Sequence, residues 1–191
     1  MSHEPPAPSR PAVVQGSGVV VAAEWTRRTQ AEYTSAALAG QVTVWLLEAG
    51  APPDLIRDGL RVVDDELVHS ELSAEVAAAA ADGGFAPPVI DRSSLVLPGG
   101  DDPLTALLRP VVRFFCIGET VAVPLFRMLR QNCAVPVARR ALDRVLRDEG
   151  RHRQFGWDVL DWLILAAGPP VVETVTGTTT SSTPACSTAA T

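Results

Sequence analysis

The sequence predicts an all-α fold, a bundle of four long helices arranged as two antiparallel hairpins joined by a long crossover. Three observations carry that prediction. The 191-residue chain is 47% hydrophobic with only five Phe and one Tyr, and its many Ala, Leu and Val suit packed amphipathic helices better than a sheet sandwich. Apart from Pro110 and Pro124, the prolines fall outside, or within the first two residues of, four segments of helical composition, roughly residues 20–49, 53–82, 102–133 and 136–167. Two of the three connections are short enough to force a tight reversal.

The first segment ends in "GAPPD", where Gly50 can close one helix and Pro52 and Pro53 can open the next. The third and fourth segments meet at "NCAVP", with Pro136 placed to start the last helix. Between the hairpins lies "DGGFAPPVIDRSSLVLPGGD". At roughly 3.3 Å per extended residue, such a stretch can run the length of a bundle about 45 Å long. Pro110 and Pro124 fall inside the third segment and are predicted to kink it. Residues 1–18, rich in Pro, Ser and Gly, and residues 171–191, rich in Thr and Ser, read as disordered ends around one domain at 19–170.

Charge and composition exclude several function classes. A net charge of -6 with scattered Lys and Arg provides no concentrated basic face for nucleic acid. No apolar run approaches the roughly 18 residues of a membrane span, and the start lacks a signal-peptide layout. The expectation is a cytoplasmic protein without membrane or nucleic-acid partners. Cys116, Cys133 and Cys186 are odd in number and lack a CxxC pair, so they define neither a disulfide framework nor a zinc pattern.

The chemistry is concentrated around two of the three histidines. "DELVH" holds Asp65, Glu66 and His69, and "DEGRH" holds Asp148, Glu149 and His152. Acid followed by base is a common helix-surface pattern, and a lone helical histidine is more often a satisfied polar group than a ligand. The same pattern on the second helix of both hairpins calls for a shared cause. Glu at i and His at i+3 lie on one helix face, one turn apart, and can approach the same cation.

A site for two metals in a bundle also needs a glutamate from each partner helix. Glu119 lies 30 residues before Glu149, and the two come out level when counted from the turn between their helices. Glu32 lies 34 residues before Glu66 and matches its depth better than Glu24 or Glu48, which fall near the ends of the first helix. Val112, Phe115, Cys116, Val123 and Phe126 form an apolar lining around Glu119, where an unpaired carboxylate would be costly to bury. Ser35, Ala36, Ala39 and Thr43 leave room beside Glu32. Four carboxylates with two imidazoles suit two Fe ions, with Mn or a mixed Fe/Mn pair as alternatives.

These motifs, with "AEYTSAAL", "DDELVHSEL", "CIGETVA" and "DEGRHRQFGW", resemble the ferritin-like di-iron carboxylate superfamily, and more narrowly a group of bacterial ferritin-like proteins. The resemblance covers about residues 20–167. It implies that Glu32, Glu66 and His69 serve one metal and Glu119, Glu149 and His152 the other, with Glu66 and Glu149 as bridges and catalytic candidates. It also implies that Asp65 and Asp148 each accept the free ring N–H of the histidine on the opposite helix, with Arg151 bracing both acids. The first motif has Val68 where the second has Arg151, so part of that brace has no counterpart.

The implied function is that of an O2-dependent non-haem di-iron oxidoreductase acting on a small molecule or peptide, with an external electron donor and a possible homodimer. The alternatives are a ferroxidase that handles iron and a peroxide-consuming di-iron or di-manganese enzyme. Cys116, one turn before Glu119, is a further candidate for contact with substrate or for redox chemistry, against the packing role usual for a buried cysteine.

Overall fold

The computed structural model describes residues 17–81 and 103–168. The predicted crossover and disordered ends lie outside the described residues, except that residues 17 and 18 belong to the first helix. The chain forms α1 (Ser17–Glu48), α2 (Pro53–Ala80), α3 (Pro103–Pro110), a π-helical stretch (Val111–Gly118), α4 (Glu119–Asn132) and α5 (Pro136–Ala167). α3, the π stretch and α4 follow without a break, so the elements make four rods, and no strand occurs among the described residues. The described residues are therefore all-helical and compatible with the predicted bundle. No helix among the described residues is long and apolar enough to cross a membrane.

The turns follow from their punctuation. Gly50 takes φ 71°, its N–H bonds to Leu47 O, and the Ala51 N–H bonds to Leu46 O. This pair of bonds is a Schellman closure, which favours glycine at the left-handed position. Pro53 and Pro136 then begin α2 and α5, where a missing N–H costs no helical hydrogen bond.

The third rod departs from a regular α-helix. Pro110 lacks an N–H, and the register after it widens to i→i+5 through Gly118. The Glu119 N–H accordingly bonds to Phe114 O. The prolines predicted only a kink. Pro124 lies within α4, and no π stretch follows it.

α1 packs along α2, while α5 lies against α2 on one side and the π stretch and α4 on the other. Ser70 donates to Thr29 O at 2.9 Å and pins α2 to α1 beside the middle of the bundle. Apolar side chains collect at two levels. The larger cluster includes Val42, Leu46, Val62, Leu107, Phe115, Phe155 and Leu163; the smaller centres on Val76, Ala138 and Ala141. Each fully buried Val, Leu or Phe contributes about 1.5–3 kcal/mol. The two Glu/His motifs occupy the level between these clusters.

Gly156 sets the distance between α5 and the π stretch. A Cβ there would lie 2.6 Å from the Phe115 carbonyl carbon and 2.9 Å from the Cys116 nitrogen. Backbone cannot swing aside as a flexible side chain can, so Gly156→Ala is expected to destabilise the protein by about 3 kcal/mol. Urea unfolding measures this, and an unchanged midpoint with unchanged slope would contradict it.

Candidate metal centre

Glu66 and His69 project from α2, and Glu149 and His152 from α5, each no more than 2% exposed. Glu32 of α1 is buried and Glu119 of α4 is half-buried. The imidazoles are crossed between the hairpins: His69 Nε2 lies 3.3 Å from Asp148 Oδ2, and His152 Nε2 lies 3.3 Å from Asp65 Oδ2. An Nε2–H donated to each aspartate leaves the Nδ1 lone pairs facing the bundle interior.

Two groups of donor atoms then come together. Glu66, His69 and His152 form one; Glu119, Glu149 and His152 form the other; within each, the atoms lie within 4.8 Å of one another. His152 Nδ1 is 3.2 Å from Glu66 Oε1 and 3.6 Å from Glu149 Oε2, while His69 Nδ1 is 3.5 Å from Glu66 Oε2. These approaches lack hydrogen-bond alignment. Glu66 Oε2, Glu149 Oε2 and both Nδ1 atoms are buried without a hydrogen-bond partner. Leaving four such atoms unsatisfied is costly, and a cation would satisfy them together. The groups present therefore fit a metal ion.

The electrostatics divide into an outer balanced layer and an inner unbalanced one. Arg151 donates to Asp65 and Asp148 at 2.8 Å each. Arg144 bonds to Asp65 at 3.0 Å and also to Asp148. Burial alone would raise the Asp148 carboxyl, but Arg144 and His69 overcome it and bring it to about 2. Burial likewise opposes ionisation of Glu66, yet His152 and His69 hold it at about 2.

The inner carboxylates lack enough cationic partners. Burial and the adjoining Glu149 push Glu119 up to about 10. Burial and Glu66 raise Glu32 to about 7, against the pull of Arg28. Burial would lower His152, but the Glu149 and Glu66 carboxylates outweigh it and raise the imidazole to about 11. Protons thus occupy, in part, the place of positive charge that divalent cations would supply.

The six proposed ligands share this region, but their grouping differs from the sequence expectation. His152 takes the place assigned to Glu32 beside Glu66 and His69. Glu32 instead accepts a bond from Arg28 at 2.7 Å. It still lines the same cavity, about 230 Å³, with Glu66, Glu119 and Glu149. Leu38, Phe114, Phe115, Ala122 and Phe126 supply apolar walls.

Asp65, Asp148 and Arg151 occupy the bracing positions expected of them. Arg144 supplies the brace that Val68 cannot, and it lies outside the two histidine motifs. Its signal was its spacing, i−4 from Asp148 on the same helix face. Cys116 packs in the larger apolar cluster beside Phe115 and is not among the residues that line the cavity. Burial, followed by the charge of Asp161, raises its thiol to about 11, which opposes thiolate chemistry.

Compared with known proteins, the chain matches no family model, no curated protein and no solved structure. What the fold and the site define, among the described residues, is a set of packed helices with buried carboxylate and imidazole groups able to hold a metal ion.

Proposed function

We propose that this protein is a ferritin-like, O2-dependent non-haem di-iron oxidoreductase acting on a small organic substrate. The observation that carries the reading is the set of four buried, unpartnered donor atoms on Glu66, His69, Glu149 and His152. Glu66, His69 and His152 would hold one ion, and Glu119 and Glu149 the other, with His152 within reach of both. Glu32 would join them by turning from Arg28. When bound, a redox-active pair of this kind supplies electrons and Lewis acidity for O2-dependent oxidation.

The chain's own contribution is positioning, proton control and exclusion of water. Asp65 and Asp148 hold the two imidazoles with Nδ1 inward. Arg144 and Arg151 keep those aspartates ionised, so that they accept hydrogen bonds without drawing on the inner charge. Glu119 carries a proton that metal loading must displace. Phe114, Phe115 and Phe126 give the cavity an apolar side where an organic group can pack beside the carboxylates. That lining favours substrate oxidation over iron handling, for which an apolar wall has no use.

Metal analysis and O2 uptake test the reading together. Protein loaded anaerobically with Fe(II) and desalted should retain about two Fe per chain, as a paired site requires. On mixing with O2, consumption should end near one O2 per site with excess Fe(II), because about two electrons come from each pair. A folded protein that retains no Fe or Mn would overturn the metal centre. Catalytic oxidation of many Fe(II) per chain would move the assignment to a ferroxidase.

A further inference from the structure

A second concavity lies at the end of the molecule where α1 begins and α2 and α4 finish. It has a volume of about 670 Å³, and Val21, Trp25, Ala79, Met128 and Leu129 contribute apolar walls. Volumes of this order suit small-molecule ligands. From Gly18 to Arg28, both on its wall, α1 advances about 15 Å at 1.5 Å per residue, room for an unbranched chain of roughly ten carbons.

Charge at this groove is asymmetric. Glu24, also on its wall, is paired with Arg27. Arg28 stands at the inner end, its guanidinium 5.2 Å from the Trp25 ring and 4.4 Å from the Phe126 ring. Phe126 and Glu32 line the carboxylate cavity, whereas Arg28 lines the groove. The Arg28–Glu32 pair is therefore the partition between the two spaces. Arg28 Nη2 donates to Glu32 Oε1, while the buried Nε–H has no partner.

We propose that the groove binds an amphipathic monocarboxylate, with its apolar body between α1, α2 and α4 and its carboxylate on the Arg28 guanidinium, which must turn to present its unpartnered Nε–H. Apolar walls exclude a small polar anion as the best ligand, and the partly buried guanidinium favours a carboxylate over a neutral head group. A link to the metal centre rests on the function proposed above. If Glu32 turns toward the cations, Arg28 loses its partner inside an apolar wall, and the ligand carboxylate replaces it. Metal and ligand then tighten each other's binding by the same factor.

Calorimetric titration of the full chain with decanoate and with decanol tests the site, first without metal and then with Mn(II). Decanoate should fill a single saturable site and bind at least about tenfold more tightly than decanol, the effect of one charge-assisted hydrogen bond. Arg28→Met should erase that preference. Ala79→Trp, which fills the exposed wall without touching Arg28, should weaken both ligands, and circular dichroism establishes that each variant is folded. Absence of saturable decanoate binding, as when another part of the chain or a second copy fills the groove, overturns the proposal. Equal affinity for acid and alcohol, or an undiminished preference in Arg28→Met, does the same.

With Mn(II), decanoate should bind severalfold more tightly. Failure to take up Mn(II) counts against the metal centre alone, since the metal-free comparison of acid with alcohol stands by itself. Mn(II) uptake with unchanged decanoate affinity overturns the link through Glu32.

Discussion

His152→Ala is expected to abolish tight metal retention altogether, the largest effect of any single ligand substitution. His152 is the one residue present in both donor groups, so its removal leaves Glu66 with His69 on one side and Glu119 with Glu149 on the other, and Glu32 could replace the lost donor on one side only, by giving up its bond to Arg28. Two donors bind a divalent ion far more weakly than three or more. Loss of an outer hydrogen-bond partner alone costs about 10–100-fold in affinity, and loss of a shared direct ligand should exceed about 100-fold. Glu119→Gln and His69→Ala each spare one complete group and should retain about one ion per chain where the parent retains about two. Competition with a chelator, followed by elemental analysis, ranks the three variants. Equal retention by His152→Ala and the parent would show that the imidazole is no ligand. Asp65 keeps Arg144 and Arg151 as partners in that variant, so the aspartate does not become an unpaired buried charge.

The parts of this centre differ in how far the sequence revealed them. Glu66 with His69, and Glu149 with His152, were legible because i and i+3 fix a shared face within one helical turn. Glu119 was legible because the tight turn before Pro136 lets depth be counted across the hairpin, and α4 from Glu119 to Asn132 is regular. The π stretch was not. A proline inside a helix can be absorbed by a kink or by a widened register, and local sequence does not choose between them. Pro110 is followed by the widened register, and the close approach of Gly156 to Phe115 and Cys116 shows a tertiary contact packed against it.

Glu32 lines the cavity with the other carboxylates, and its hydrogen-bond partner is Arg28. Arg28, at i−4 on the same helix, competes for its carboxylate, and that choice depends on the charge present in the core. Arg144 was missed for a related reason. A motif comparison aligned on histidine looks for a brace at the position of Val68, whereas the bundle brings one from α5 that serves both aspartates. The crossed contacts, His69 to Asp148 and His152 to Asp65, make the two hairpins one electrostatic unit.

Stability of the metal-free protein should fall as pH rises above neutrality, and bound metal should reverse that trend. Glu119 moves from an ordinary 4.5 to about 10 on folding. Its proton is retained in the folded state, so its contribution is fully present below pH 4.5 and is lost as pH rises toward 10. His152 moves from 6.5 to about 11, and its contribution is likewise present below 6.5 and lost toward 11. Glu66 and Asp148, both depressed to about 2, contribute above their ordinary values and lose that contribution as pH falls toward 2. The metal-free protein should therefore be most stable near pH 4.5 and lose stability above it, more steeply above 6.5, where His152 adds to Glu119. Metal demands the opposite protonation at Glu119 and His152, so its affinity should rise about tenfold per pH unit for each proton displaced. Thermal unfolding with EDTA and with saturating Mn(II), at pH 6 and pH 8, reads the two trends together. The gap in Tm should widen markedly at the higher pH, with roughly two protons released per chain on loading, measured by titration in weak buffer. A gap that stays constant, with no proton release, would mean that Glu119 and His152 do not surrender protons to a cation, and the case for both as ligands would fail.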